Sequence, residues 1–210
     1  MAARVAARYP TRFLRSYARG KISGDPLYDA VFTRLHGRDE PILDLGCGAG
    51  FLALYLRERG VTSPIHGIDH DAEKIAVARG VAGDGMTFEC GDVRGLDAWP
   101  GTILMLDLLH YFDAATQARM LAQTAAHAAT VILRDAVRDG SWRYRMTHAQ
   151  ESFSRAIGWL KAERLHFATR ETIVGAFAGF RAEVLPMFGR TPFNNYLFVF
   201  RRESSGTTNV

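Results

Sequence analysis

The segment "PILDLGCGAGFLALYL" (41–56) runs a short apolar stretch straight into three glycines, Gly46, Gly48 and Gly50, and then resumes with helix-like apolar spacing. A strand that empties into so bare a turn lets a ligand approach the backbone, with the partial positive charge of a helix N-terminus behind it. Such a turn suits a nucleotide-like ligand, and the neighbouring residues narrow which one. A dinucleotide fingerprint has its third glycine three positions after the second. Here that position is Phe51, and the third glycine comes one residue early. Asp44 stands just ahead of the glycines, where a carboxylate repels a pyrophosphate and attracts a ligand with a positive group.

The rest of the chain keeps a strand and helix rhythm. Apolar runs at 41–45, 64–69, 86–92, 101–109 and 129–135 read as strands. Between them lie helical patterns through Arg59, over 71–80 and over 113–128, with Gly60 and Gly80 as stops. This order predicts an α/β fold, a doubly wound, mostly parallel sheet with helices on both faces. Residues 138–168 break the rhythm with a polar and aromatic helical insertion after the fifth strand, followed by a capped helix over 169–177. Runs at 180–188 and 196–202 close the chain as an antiparallel hairpin at the sheet edge. The expected organisation is an N-terminal helical arm over 1–35, a main domain over 36–202 and a flexible tail over 203–210.

With 210 residues, 48% of them hydrophobic, the chain can bury one core of ordinary size. No apolar run approaches the roughly 20 residues of a membrane-spanning helix. Cys47 and Cys90 are too few for a disulfide framework and lack metal-ligand spacing, so no metal and a cytoplasmic setting are expected. The net charge of +4 is concentrated in Arg4, Arg8, Arg12, Arg15, Arg19 and Lys21; the remainder carries 20 basic and 22 acidic residues. The five arginines fall at helical spacing along one face, interrupted by Pro10. Such a stripe is either a solvated face or a docking surface for an acidic partner.

The motif "LDLGCGAG" resembles the first motif of class I S-adenosylmethionine-dependent methyltransferases, and the resemblance extends over about residues 40–135. It implies S-adenosylmethionine as cofactor. Gly46, Cys47, Gly48 and Gly50 would then pass beneath it, with Asp44 facing its amino group. In "IHGIDHD" Asp69 takes the place that holds both ribose hydroxyls, with His70 beside it; in "ECGDV" Asp92 takes the place that accepts the adenine amino group, with Val93 next to it. Taken singly, Asp69 and Asp92 also read as helix N-caps, and Cys47 as a small loop residue. "LMLDLLHYF" resembles the family's pattern after the fourth strand, which makes Asp107, His110 and Tyr111 the catalytic candidates. His110 is a general base only if the acceptor must lose a proton. The arm is expected to act as a lid, with Tyr17 and Lys21 nearest the cofactor.

The chain lacks the Asp/Asn-Pro-Pro-aromatic motif of amino-group methylation on adenine and has no basic groove outside the arm, so nucleic acid is disfavoured. Trp142, Tyr144, Phe153, Trp159, Phe188, Phe193 and Tyr196, interspersed with Arg143, Arg145 and Arg190, instead fit a pocket for a small aromatic or acyl molecule with an anionic group. The overall pattern also resembles small bacterial methyltransferases of aryl-polyene and fatty-acyl-type synthesis. That implies a small-molecule acceptor, an acid bound to an acyl carrier protein among the candidates, and the carrier as an acidic partner. A non-catalytic cofactor-binding subunit and an RNA methyltransferase using the basic arm are the alternatives.

Overall fold

The apolar runs form the strands expected of them. The computed structural model describes residues 1–96, 98–146, 165–188 and 193–203. Its strands are β1 (Ile42–Leu45), β2 (Ile65–Asp69), β3 (Met86–Cys90), β4 (Thr102–Leu106), β5 (Thr130–Ala136), β6 (Phe180–Pro186) and β7 (Asn195–Arg202). They make one sheet in the order β3-β2-β1-β4-β5-β7-β6. The first five are parallel, whereas β7 runs antiparallel to β5 and to β6, the hairpin predicted at the C-terminus. β1 and β5 are buried along their whole length, as strands covered on both faces must be.

Helices α1 (Ala2–Ala7), α2 (Arg12–Gly24), α3 (Leu27–Leu35), α4 (Phe51–Glu58), α5 (Ala72–Val81), α6 (Ala114–His127) and α7 (Arg170–Gly175) cover the sheet. Asp71 and Asp113 cap α5 and α6, each accepting backbone N–H groups of the first turn. One apolar cluster joins α1–α5 to β1 and β2; a second fills the other face around α6, β4 and β5. The arm contributes Val5, Tyr9, Ala18, Ile22 and Val31 to the first cluster, all of them buried.

Two expectations change in detail. The arginines do not share one helical face, because the arm breaks at residues 8–11: Tyr9 turns inward and is fully buried, and Thr11 restarts the chain by accepting from Leu14 N. The fourth strand stops at Leu106 instead of running on to 109. Asp107 takes a positive φ of 56°, and a 3₁₀ turn, Leu109–Tyr111, follows. Most of the predicted insertion (147–164), part of the last loop (189–192) and the tail from 204 lie outside the described residues; residues 142–146 are helical.

Chain order sets where a ligand fits. From β1 the chain steps outward to β2 and β3, then returns across β1 to β4. The crevice at that reversal lies beyond the C-terminal ends of β1 and β4. The glycine turn and Asp107 flank it.

Candidate functional site

Gly46, Gly48 and Gly50 have φ of 79°, 56° and 73°, a conformation that costs any residue with a Cβ. At two of them space is short as well. A Cβ at Gly46 would meet Leu108 at 3.0 Å, and one at Gly50 would meet Phe88 at 3.1 Å and Ala78 at 3.2 Å. A Cβ at Gly48 would meet nothing nearer than Lys74 Cδ at 3.9 Å, so that side of the turn is open. Beneath the turn Cys47 packs onto β2 where Gly67 offers no side chain; a Cβ there would lie 2.8 Å from Cys47 Sγ. Burial pushes the Cys47 thiol up, which keeps it protonated and makes it a packing group.

Two carboxylates line the turn. Asp69 is buried at the end of β2; its Oδ2 accepts from Gly48 N at 2.9 Å and its Oδ1 from Asp71 N at 2.9 Å. It thereby holds the glycine turn as well as facing the crevice. Its neighbour His70 is exposed, with Nδ1 3.4 Å from Asp69 Oδ1. Asp44 is buried, and among the described residues no donor hydrogen-bonds its carboxylate. Burial pushes its pKa up to about 7, repulsion from Asp69 adds to this, and Lys21 opposes both. A buried carboxyl pair with one nearby lysine is short of positive charge, so a ligand bearing an ammonium or sulfonium group completes it. The donor set therefore fits S-adenosylmethionine.

The arm closes over this turn. Tyr9 donates from its hydroxyl to Ala49 O at 3.1 Å, and its ring packs against Phe51 at 4.6 Å. Tyr17 lies 5.7 Å from the same ring and stacks on Phe13, so α2 rests on the first residue of α4. Farther along the crevice Asp92 is exposed and paired with Arg94 at 2.7 Å, which holds its pKa at about 2, while Val93 is buried.

Beyond β4 two consecutive residues of β5 organise the turn. Arg134 is buried; it grips Asp107 through two hydrogen bonds, Nε to Oδ1 at 2.8 Å and Nη2 to Oδ2, and reaches Asp25 Oδ1 with Nη1 at 2.6 Å. Burial disfavours its charge, but the two carboxylates outweigh that and raise its pKa. Asp107 is thus held in a two-point ion pair with Arg134. Asp135, on the opposite face, lies 2.6 Å from His110 Nδ1 and accepts His110 N at 3.2 Å. The His110 ring also packs on Tyr111 at 4.3 Å and on Phe167 at 5.9 Å. Phe167 and Tyr144, 5.9 Å apart, line a cavity of about 370 Å³ with Gln117, Arg138, His166 and Thr169.

The structure brings Asp44, Cys47, the three glycines, Asp69, Tyr17 and Lys21 into one neighbourhood, and His110 and Tyr111 into another beside the cavity. Arg143 lies over the rings of Trp142 and Phe188, 4.7 and 4.3 Å from their centroids. Phe153, Trp159 and Arg190 fall outside the described residues. Sequence reasoning missed Tyr9, Asp25, Arg134 and Asp135. The one available signal was "VILRDA", two charged residues in the middle of a buried strand. Among the described residues no cluster of His, Cys, Asp or Glu could hold a metal, and no helix is long and apolar enough to cross a membrane.

A reversal-point crevice, a glycine turn after β1 and carboxylates at the ends of β1 and β2 are the arrangement that the resemblance to class I S-adenosylmethionine-dependent methyltransferases implies. Residues 42–130 match the family described as "Methyltransferase domain". The trans-aconitate 2-methyltransferase of Mycobacterium sp. (strain KMS) is 36% identical over 85 residues, 40% of this chain and 32% of the relative. The chain thus matches about a third of the length of that curated relative. Among solved structures, the magnesium protoporphyrin IX methyltransferase of Synechocystis PCC 6803 with bound SAH superposes with a TM-score of 0.69 at 19% identity, over 95% of this chain and 91% of that one. A possible histamine N-methyltransferase from Thermotoga maritima gives 0.62 at 16% identity, over 91% and 97%. At these identities the two structures share the fold.

Proposed function

We propose that this protein methylates a small molecule with S-adenosylmethionine. The reading rests on Asp44, a buried carboxyl beside a bare glycine turn that calls for a cationic ligand. Asp44 would take the cofactor's amino group, Asp69 and His70 the ribose side, and Asp92 with Val93 the adenine side. Tyr17 and Lys21 would close the site from the arm. When bound, the cofactor supplies a methyl group on a positively charged sulfur. The chain's own residues then have three tasks, which are to align the acceptor in line with that group, exclude water and accept a proton where one must leave.

The acceptor's place in this reading is the cavity beside His110. Its size suits a small ring, and Arg138, exposed at its edge, suits an anionic substituent. An aromatic acid, free or tethered to an acyl carrier protein, is the class these walls favour. The carrier would dock on the exposed basic surface of α2. Calorimetry with S-adenosylmethionine and NADH tests the cofactor; tight binding of NADH alone would overturn the reading. A labelled-methyl screen across phenols, carboxylic acids and carrier-bound acyl chains tests the acceptor.

A further inference from the structure

We infer that Asp135 is a positioning residue that sets His110 to take a proton from the acceptor, and that the methylated atom is therefore the oxygen of a hydroxyl, most simply a phenol, and not of a carboxylate. The inference deepens the proposed function and rests on it. Its basis is geometric. Asp135 is 2% exposed and sits next to Arg134 near the end of the fully buried strand β5, where a carboxylate is costly unless it is bonded. Its partners are His110 Nδ1 at 2.6 Å, His110 N at 3.2 Å and Ala136 N at 2.8 Å. Two of the three belong to His110, so the carboxylate fixes both the backbone and the ring of that residue.

A carboxylate on Nδ1 selects the tautomer in which Nδ1 carries the proton, and it stabilises the imidazolium that forms when Nε2 takes a second one. Proton uptake at this position accordingly runs through Nε2. Packing holds the ring, since Phe167 stacks on it at 5.9 Å and Tyr111 lies at 4.3 Å. Phe167 also lines the cavity, so one ring lies against both the imidazole and the proposed acceptor site.

Acceptor chemistry decides what such a pair is for. A carboxylic acid is already ionised at neutral pH, so its oxygen attacks without a base. A phenol, with an ordinary pKa near 10, must give up its proton as its oxygen attacks. The balanced step is transfer of the hydroxyl proton to His110 Nε2 and formation of the oxygen–methyl bond. The methyl–sulfur bond breaks as that bond forms, its electron pair remaining on sulfur, which leaves a thioether.

The test uses the full-length protein, Asp135→Asn and His110→Gln, each assayed on phenols of graded acidity and on the matching benzoic acids. Asp135→Asn should lower kcat on weakly acidic phenols about a hundredfold with little change in KM, and the loss should shrink as the phenol becomes more acidic. Nitrogen-15 NMR of the ligand-free protein should show His110 with its proton on Nδ1, and that signal should move in Asp135→Asn. Calorimetry should give both variants wild-type affinity for S-adenosylmethionine, which separates a lost base from a lost fold. A proton on Nε2 in the wild type, a loss independent of phenol acidity, or turnover confined to benzoic acids would overturn the inference. Failure of the wild type to bind the cofactor would instead overturn the proposed function.

Discussion

Asp44 is the residue on which cofactor recognition turns, and its ionisation has two consequences of opposite sign. Its carboxyl, ordinarily near 3.8, is pushed up to about 7 by burial and by Asp69, so the folded chain holds a proton that the unfolded chain releases. The corresponding stability is present in full below pH 3.8 and is lost as pH rises through about 7. A cationic ligand reverses the preference, because it binds the ionised form. Cofactor affinity should therefore rise as pH approaches about 7 from below, a range in which the ligand's own ammonium stays charged, and binding should release a proton. Calorimetry in buffers of different ionisation enthalpy measures both, and Asp44→Asn should abolish the trend. Asp69 plays a second part, since it fixes the glycine turn through Gly48 N. Asp69→Ala should weaken cofactor binding by about 1.5–3 kcal/mol, the cost of losing charge-assisted hydrogen bonds, and titration of that variant checks it.

At the scale of elements, Arg134 ties three of them together: β5 carries it, Asp107 follows β4, and Asp25 ends α2. Removing the cation leaves two part-exposed carboxylates facing each other without a counter-charge. Arg134→Met should therefore destabilise the fold by about 1.5–3 kcal/mol and loosen the arm, read as a lowered denaturation midpoint and faster proteolysis before residue 25. The strands and their mostly parallel arrangement were legible in the sequence because each is a short apolar run closed by glycine, proline or an acidic residue, and because alternation with helices allows few parallel topologies. The glycine turn and its carboxylates were legible for the same local reason, being contiguous in the chain. Arg134 and Asp25 are 109 residues apart, and no spacing announces a pair that only the sheet brings together. Tyr9 was hidden by its surroundings, since a tyrosine among arginines gives no sign that its hydroxyl will reach Ala49 O. Asp107 defeated the strand boundary by adopting a backbone conformation that its residue type seldom takes.

Over the whole molecule, charge and burial divide the arm's arginines into two groups. Arg4 and Arg8 lie 3.7 and 3.8 Å from Glu58 of α4, and Arg15 turns back to donate to Tyr9 O at 2.7 Å, so these three help seat the arm on the domain. Arg12 and Arg19 are exposed on α2, beside Phe13, which is 75% exposed and stacked on Tyr17 at the mouth of the crevice. Two exposed cations and an exposed aromatic ring on one helix suit docking of an acidic protein, the carrier proposed above. A continuous track for RNA would need more, because outside the six basic residues of the arm the chain has 20 basic residues against 22 acidic ones. Arg12→Glu with Arg19→Glu is a mild change for the helix, since an acidic residue in the first turn of α2 suits the helix dipole. The double variant should raise KM for a carrier-bound substrate and flatten its dependence on salt, while turnover of the free small acid stays as it was. Equal losses on both substrates would mean that this face holds the lid in place, and no loss on either would make it a solvated surface.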